Sequence, residues 1–292
     1  MIRTLLTIAL SLPLVALSPV VAGASEHEDT TAQDALAETA KQLNNPISSV
    51  WNITIQNNYT LLGGDATEEL RGSWVTNFQP VLPVPLTPTF NLISRPILPI
   101  VSIPVPVGND VTERKQGLGD FAFQAFVSPN TSSGFVWGVG PLFVFPTATS
   151  DELSSKKWSA GPALVGLSVG KNSVVGALLT HTQSFAGSSS RPDVSVTALQ
   201  YFATRMLPNQ WQVGVGSPTI VYDWSAAGPD QWTVPVGLSV GKTIRVGAMP
   251  FQMNLETSYA VVHPETFGQR WNFRFVVKPV LPRLIQEPLF GS

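Results

Sequence analysis

The chain has 292 residues, of which 43% are hydrophobic and only 12% charged, with 23 Gly, 25 Pro and no Cys. The missing cysteines exclude a disulfide framework, a thiolate nucleophile and cysteine metal ligands, and a formal net charge of −2 gives no electrostatic case for nucleic acid. So little charge in a chain without a second long apolar run suits membrane-spanning β-strands, which disperse their apolar residues instead of collecting them.

The start of the chain reads as an export signal. Arg3 supplies the positive end, Leu5 to Leu17 an apolar stretch interrupted by Ser11 and Pro13, and Ala22-Gly23-Ala24 a small-residue cleavage site. The apolar run is too short and broken for a bilayer-spanning helix of about 20 residues. A signal peptide is expected over 1–24, with the mature protein beginning near Ser25. Residues 25–46 differ from everything after them: AQDALAETAKQL is rich in helix formers and ends at Asn44, Asn45 and Pro46. This segment reads as a periplasmic tail with a short helix that tethers the barrel, in preference to a plug in its lumen.

From 47 to 292 the pattern changes to short stretches of alternating apolar and polar residues. Trp51, Ile53 and Ile55 alternate with Asn52, Thr54 and Gln56, and Trp74, Thr76 and Phe78 with Ser73, Asn77 and Gln79. The alternation recurs around 121–125, 232–239, 251–256 and 271–275, and more weakly near 90–102, 135–146, 158–170, 173–185, 194–206 and 211–224. About twelve strands result, predicting an all-β fold, an antiparallel transmembrane β-barrel with one greasy face and one wet face on each strand. An even count returns the C-terminus to the side where the chain enters.

The connectors provide a second line. Those after odd strands, such as GGDATEEL, PVGNDVTERKQG, TSDELSSKK and HPETFGQ, hold most of the charge, whereas GKN and LPN after even strands are short. Long loops on one rim are the barrel pattern; the even connector TIRVGAMP departs from it. VGLSVGK occurs at Val165–Lys171 and again at Val236–Lys242, and both copies are expected to end strands running toward the near rim. Trp51, Trp74, Trp137, Trp158, Trp211, Trp232 and Trp271 mostly open strands, where indoles form interfacial girdles. Pro80, Pro96, Pro99, Pro141, Pro162 and Pro235 fall inside strands; proline cannot donate to a ladder, so bulges or strand ends are expected there.

Several runs resemble a known family. AKQLNNPISSVWNITIQNNY, FNLISRPILPIV, QGLGDFAFQAFVSP, WGVGPLFVFPTAT, KWSAGPALVGL, GALLTHTQSFAG and YDWSAAGPDQWTVPVGLSV look like bacterial outer-membrane, transporter-like proteins, often mislabelled neuromedin U. These are related to the outer-membrane proteins of the phenol-degradation meta pathway. The resemblance spans Ala40 to Val277 and implies an outer-membrane barrel, with no substrate and no functional residues to carry over. One departure is the C-terminus: such barrels finish on an aromatic that ends the last strand, whereas VVKPVLPRLIQEPLFGS follows Phe275. That bears on recognition by the barrel-assembly machinery, one of the expected partners beside the lipid bilayer and small-molecule solutes.

Polar groups on the wet strand faces are the natural pore lining. The candidates are Arg95, Asp120, Gln124, Asn254, Glu256, Asn272 and Arg274; they would either set selectivity or pair and fill the lumen. An enzyme is less well supported. His181 and Ser184 lie three apart on a strand and so face opposite ways, leaving His181 with Ser168 or Ser195 as the only arrangement for a lipid hydrolase. His27, His181 and His263 lack metal-ligand spacing, and the Gly-rich runs near 138–140 and 214–216 have no following helix to make a phosphate cradle. No cofactor is expected. The sequence thus reads as a passive outer-membrane channel for small, weakly polar or aromatic solutes.

Overall fold

The fold comes from a computed structural model that describes residues 23–107 and 110–291, without the side chains of 23–32, 68 and 106–112. The expected signal peptide, apart from its last two residues, lies outside the described residues. The chain divides into two compact units, Met1–Ala35 and Leu36–Ser292. A helix, α1 (Gly23–Gln42), runs through that boundary, and only its last part, Leu36 to Gln42, belongs to the second unit.

The second unit is a closed antiparallel barrel of twelve strands. In chain order its strand segments are β1 (Asn52–Gly64), β2 (Thr67–Pro85), β3 (Phe90–Val107), β4 (Asp110–Leu118), β5 (Phe121–Pro129), β6 (Gly134–Phe145) and β7 (Lys157–Val169). There follow β8 (Ser173–Gly187), β9 (Ser195–Met206), β10 (Trp211–Gly214), β11 (Thr219–Asp223), β12 (Trp232–Val246), β13 (Met249–Val262) and β14 (Gly268–Pro279). Fourteen segments make twelve staves because two staves are interrupted. β4 and β5 both pair with β3, and β10 and β11 both lie between β9 and β12. β1 pairs with β14, Tyr59 opposite Phe273, which closes the sheet into a barrel; β4 pairs with β3 alone.

The near rim, where β1 begins, carries tight connections at 86–89, 130–133, 170–172, 207–210 and 247–248. TIRVGAMP is therefore no long loop. Val246 pairs with Met249, and Gly247, with φ of 62°, makes the two-residue turn whose first position favours glycine. The far rim holds the longer loops at 146–156, 188–194, 224–231 and 263–267. GGDATEEL and PVGNDVTERKQG, in contrast, are mostly strand, because β1–β2 and β3–β4 extend as hairpins. The far-rim connections also hold one another: the backbone of Asp65 and Ala66 donates to Glu265 and Thr266, and Lys115 pairs with Glu152 at 3.3 Å.

The prolines sit in strand interiors, and their cost is avoided by lapses in the ladder. The β2–β3 pairing skips Gln79–Val81 opposite Arg95–Ile97, which places Pro80 and Pro96 where neither faces a bond it cannot make. Pro141 faces Pro162 across β6 and β7, and the outer neighbours of both lapse too, β5–β6 beside Pro141 and β7–β8 beside Pro162. Only Pro235 lies at a register shift, and Pro99 stays within the ladder opposite Asn77.

The expectation of a greasy and a wet face on every strand needs correction. Around β5 to β8 the inward side is apolar as well: Phe126, Val136, Leu142, Ala163, Val165, Leu167, Val169, Val174 and Leu178 are buried and pack with Ile93, Phe202 and Ile47. Polar inward side chains gather on the opposite wall, from β10 to β14 and around to β2. Outward residues are mostly apolar, with polar exceptions such as Asn57, Thr76 and His181, and many of the outward aromatics pair near the two rims. Tyr222 meets Trp224 and Trp232, Phe145 meets Trp158, and Tyr259 meets Trp271 toward the far rim; Phe90 meets Trp137 and Lys242 lies over Trp211 toward the near one. Trp51 is the exception to the expected girdle. It is buried at the near rim, where its indole N–H donates to the Pro83 carbonyl at 2.6 Å.

β14 continues past Phe275 to Pro279, and the segment after it folds back along the near rim. Leu281 donates its backbone N–H to Trp51, and Leu289 and Phe290 donate theirs to Pro85 and Leu86.

Candidate functional site

The lumen is organised in three levels. At the near rim the chain from Leu36 to Trp51 enters the barrel, with Leu36, Ala40, Leu43 and Ile47 buried. Amides of the polar wall receive it. Gln252, fully buried, donates to the Ala40 carbonyl at 3.1 Å, to Gln212 and to Thr243, while Asn44 donates to Gln212 at 2.8 Å. Asn254 joins by a donor to Gln252 and by accepting from Gln212, and Lys278 Nζ caps the Leu43 carbonyl at 2.6 Å. Of the segment 25–46, expected to be a tether, the part from Leu36 onward lodges in the near-rim mouth. The reason is that Ile47 fits the apolar half of the lumen while the helix's last carbonyls meet donors from the polar half.

Above this lies a small cavity of about 90 Å³, lined by Leu43, Asn44, Asn52, Gln212, Asn254 and Lys278 among others. On its polar wall Glu256 and Arg274 form an ion pair at 3.1 Å that is mostly hidden from solvent. The same two side chains hold the break between β10 and β11: Arg274 donates to the Ser217 carbonyl at 2.9 Å and the Ser217 N–H donates to Glu256 at 3.0 Å. Gly216, with φ of 72°, makes the turn there, and a side chain at this position would press on the Glu256 carboxylate. Arg274 also reaches Asn58 at 2.8 Å. The stave thus swings into the lumen at Val215–Pro218 and is caught by charge.

A second cavity of about 210 Å³ sits farther along, lined by Asn77, Ile97, Gln124, Leu178, Thr180, Ala198 and Thr219. Gln56, Gln79, Arg95 and Gln200 line both cavities. These four side chains therefore form the constriction between them. Arg95 is the notable member, since its single hydrogen bond is a long one from Nη2 to Gln79 at 3.4 Å, and its buried Nε and Nη1 have no acceptor.

Of the seven residues picked from sequence, Arg95, Asn254, Glu256 and Arg274 line the first cavity and Arg95 and Gln124 the second. Asn272 lies farther up on the same wall and donates to Thr60 at 2.7 Å. Asp120 is engaged elsewhere: both carboxylate oxygens hold the far-rim loop, accepting from Ala148 and Ser154 and from the Ser155 N–H and hydroxyl. The candidates left out Gln79 and Gln252, although the alternation puts both on wet faces, and Gln200, Gln212 and Lys278 went unrecognised as lumen residues. Lys278 was legible in principle, because it continues the inward alternation of Arg274 and Val276 into what had looked like a tail.

His181 faces outward near the far-rim aromatics, sharing its Nδ1 with the Thr197 hydroxyl at 3.0 Å, which also accepts from the Trp224 indole. Ser184 faces the other way and contacts Asp193 at 3.3 Å. Ser195 is opposite Gln183, two positions from the His181–Thr197 pair, and Ser168 is opposite Val175, six residues from His181 on β8. A separate outward groove between Tyr59, Trp74, Leu238, Leu255 and Phe273 is lined chiefly by apolar side chains and belongs to the outer belt.

No protein-family model matches the chain, and no curated protein matches it. Among solved structures, an outer membrane channel from Pseudomonas putida F1 is similar with a TM-score of 0.60 at 14% identity, over 79% of this chain and 94% of that one. A FadL homologue of Pseudomonas aeruginosa aligns more loosely, at a TM-score of 0.42 and 10% identity, over 82% of this chain and 93% of that one. At such identity the first likeness speaks for the fold alone, and the second carries no weight.

Proposed function

We propose that this protein is an outer-membrane barrel that serves as a channel or facilitator for passive passage of small, weakly polar or aromatic solutes. The observation that carries this reading is the pair of lumen cavities meeting at a polar constriction, inside a closed sheet whose outer surface is apolar and ringed by aromatics. A barrel of this kind satisfies every backbone group within the hydrocarbon and keeps its polar side chains for the interior. The resemblance of Ala40–Val277 to the transporter-like outer-membrane family supports the same reading. On it, the partners are the bilayer, the solutes and the barrel-assembly machinery, and an exported precursor loses residues 1–24.

A second reading, a structural barrel that passes nothing, is favoured by one feature: Leu36–Trp51 fills the near-rim mouth and leaves only about 90 Å³ beside it. The hydrolase alternative draws less support, since the partner of His181 is Thr197, a residue shared with Trp224. Purified protein in a planar bilayer separates these readings. Stepwise openings are expected; a silent membrane containing folded protein would reject the channel, and esterase activity lost on His181→Ala would establish the enzyme instead.

A further inference from the structure

We infer that the constriction at Arg95 is a carboxylate-binding site, and that the preferred solutes are monocarboxylic acids with a compact apolar body. The inference deepens the channel reading and relies on it for the route by which a solute arrives. Its basis is a charge imbalance. The first cavity is lined by three cations, Arg95, Arg274 and Lys278, and by one carboxylate, Glu256. Glu256 is already bound by Arg274 and by the Ser217 N–H, and Lys278 is bound to the Leu43 carbonyl. Arg95 remains with two buried nitrogens that have no acceptor.

A buried guanidinium with one long hydrogen bond and two unpartnered nitrogens is expensive, so a fold optimised for stability alone would place an apolar or amide side chain there. An anion arriving from solution supplies what is lacking. The edge formed by Nε and Nη2 matches the two oxygens of a carboxylate, and only the long Gln79 contact must yield. Gln56 and Gln200, on the same constriction, bring amide donors whose present bonds are also long, 3.4 Å each. The body of the ligand would lie against Ile97, Leu178 and Ala198, the apolar side of the adjoining cavity of about 210 Å³. One charge and one apolar wall together select an acid with a small hydrophobic body over an inorganic anion, a neutral analogue or a cation.

Benzoate, benzamide and benzamidine have nearly one shape and carry negative, zero and positive charge. Full-length protein in detergent micelles is titrated with each by calorimetry, and flux of each is followed in proteoliposomes. Benzoate is expected to bind and to cross most readily, with benzamidine last, and phosphate should compete weakly. In Arg95→Gln, benzoate binding should fall about tenfold toward that of benzamide, the scale of one charge-assisted hydrogen bond, while Arg95→Lys keeps part of it. Folding of each variant is checked by the mobility of unheated protein in gels, and the wild-type series tests the site without any substitution. Equal binding of benzoate and benzamide, full competition by phosphate, or unchanged benzoate binding in folded Arg95→Gln would overturn the site. Arg95-dependent binding with no flux of any probe would leave the site standing and reject the channel.

Discussion

The same seven residues, VGLSVGK, run off the end of β7 and lie within β12 with their faces reversed. In the first copy Val165, Leu167 and Val169 point into the lumen and are 4%, 1% and 4% exposed; in the second, Val236, Leu238 and Val240 point outward and are 49%, 69% and 41% exposed. Nothing in the heptapeptide distinguishes them. The first faces Phe126, Val136 and Ile47 across an apolar half-lumen, whereas the second has the Gln212–Gln252–Asn254 network on its inner side, beside Gly241 and Thr243. The second copy also does not end its strand, since β12 runs on to Val246 and Lys242 lies over the Trp211 ring at 4.8 Å. The comparison teaches that an alternating strand specifies two faces, and that the contents of the barrel assign them.

The largest effect expected from breaking this contrast is at Leu167. Leu167→Ala leaves a cavity in the packed half and should cost about 2–5 kcal/mol, read from urea unfolding in micelles, while Leu238→Ala should cost a small fraction of that. Equal costs would refute the reversed facing. Leu238→Arg sharpens the other side: a cation at mid-height on an outward face should cost about 2–4 kcal/mol in bilayers, and an unchanged midpoint would mean that no hydrocarbon meets this wall.

Gln252→Leu tests the polar half. It takes a donor away from Ala40, Gln212 and Thr243 in a fully buried position, with a loss of about 1–3 kcal/mol. The near-rim segment should then loosen and bilayer conductance rise; a variant as stable and as closed as the parent would show that the network does not hold Leu36–Trp51. The smallest effect concerns the far rim. The hydrogen bond and charge of Lys157 hold the Asp193 carboxyl below its ordinary value. A lowered folded value means that the Lys157–Asp193 staple is complete at neutral pH and lost only as pH falls through and below the usual carboxylate range. Pepsin cleavage in loop 188–194 should therefore rise at the acid end alone, and Asp193→Asn should abolish that pH dependence.

Much of the strand pattern was legible because it is local. Trp74, Thr76 and Phe78 against Asn77 and Gln79 state a period of two, and that period survives whatever the strand packs on. Prolines were misleading for the opposite reason: Pro141 is tolerable because Pro162 faces it and because neighbouring ladders lapse, facts that involve three other strands. Asp120 looked like a lumen group, since its parity is that of Gln124, yet the loop carrying Ser154 and Ser155 folds onto it. Glu256 and Arg274 were recognisable as inward charges, but not their grip on Ser217, which depends on an interruption of a stave 39 and 57 residues away in sequence.

By itself the sequence determined that this chain forms about twelve strands with two distinct faces, tight connections at one rim and an apolar outer surface. These follow from backbone pleat, turn chemistry and composition, each of which acts over a few residues. Tertiary structure alone decided that half the lumen is apolar, that Leu36–Trp51 occupies its mouth, and that Arg95 faces a constriction with two of its nitrogens lacking an acceptor. Those outcomes depend on which strands meet across the barrel, and a closed sheet brings together residues that no local pattern relates.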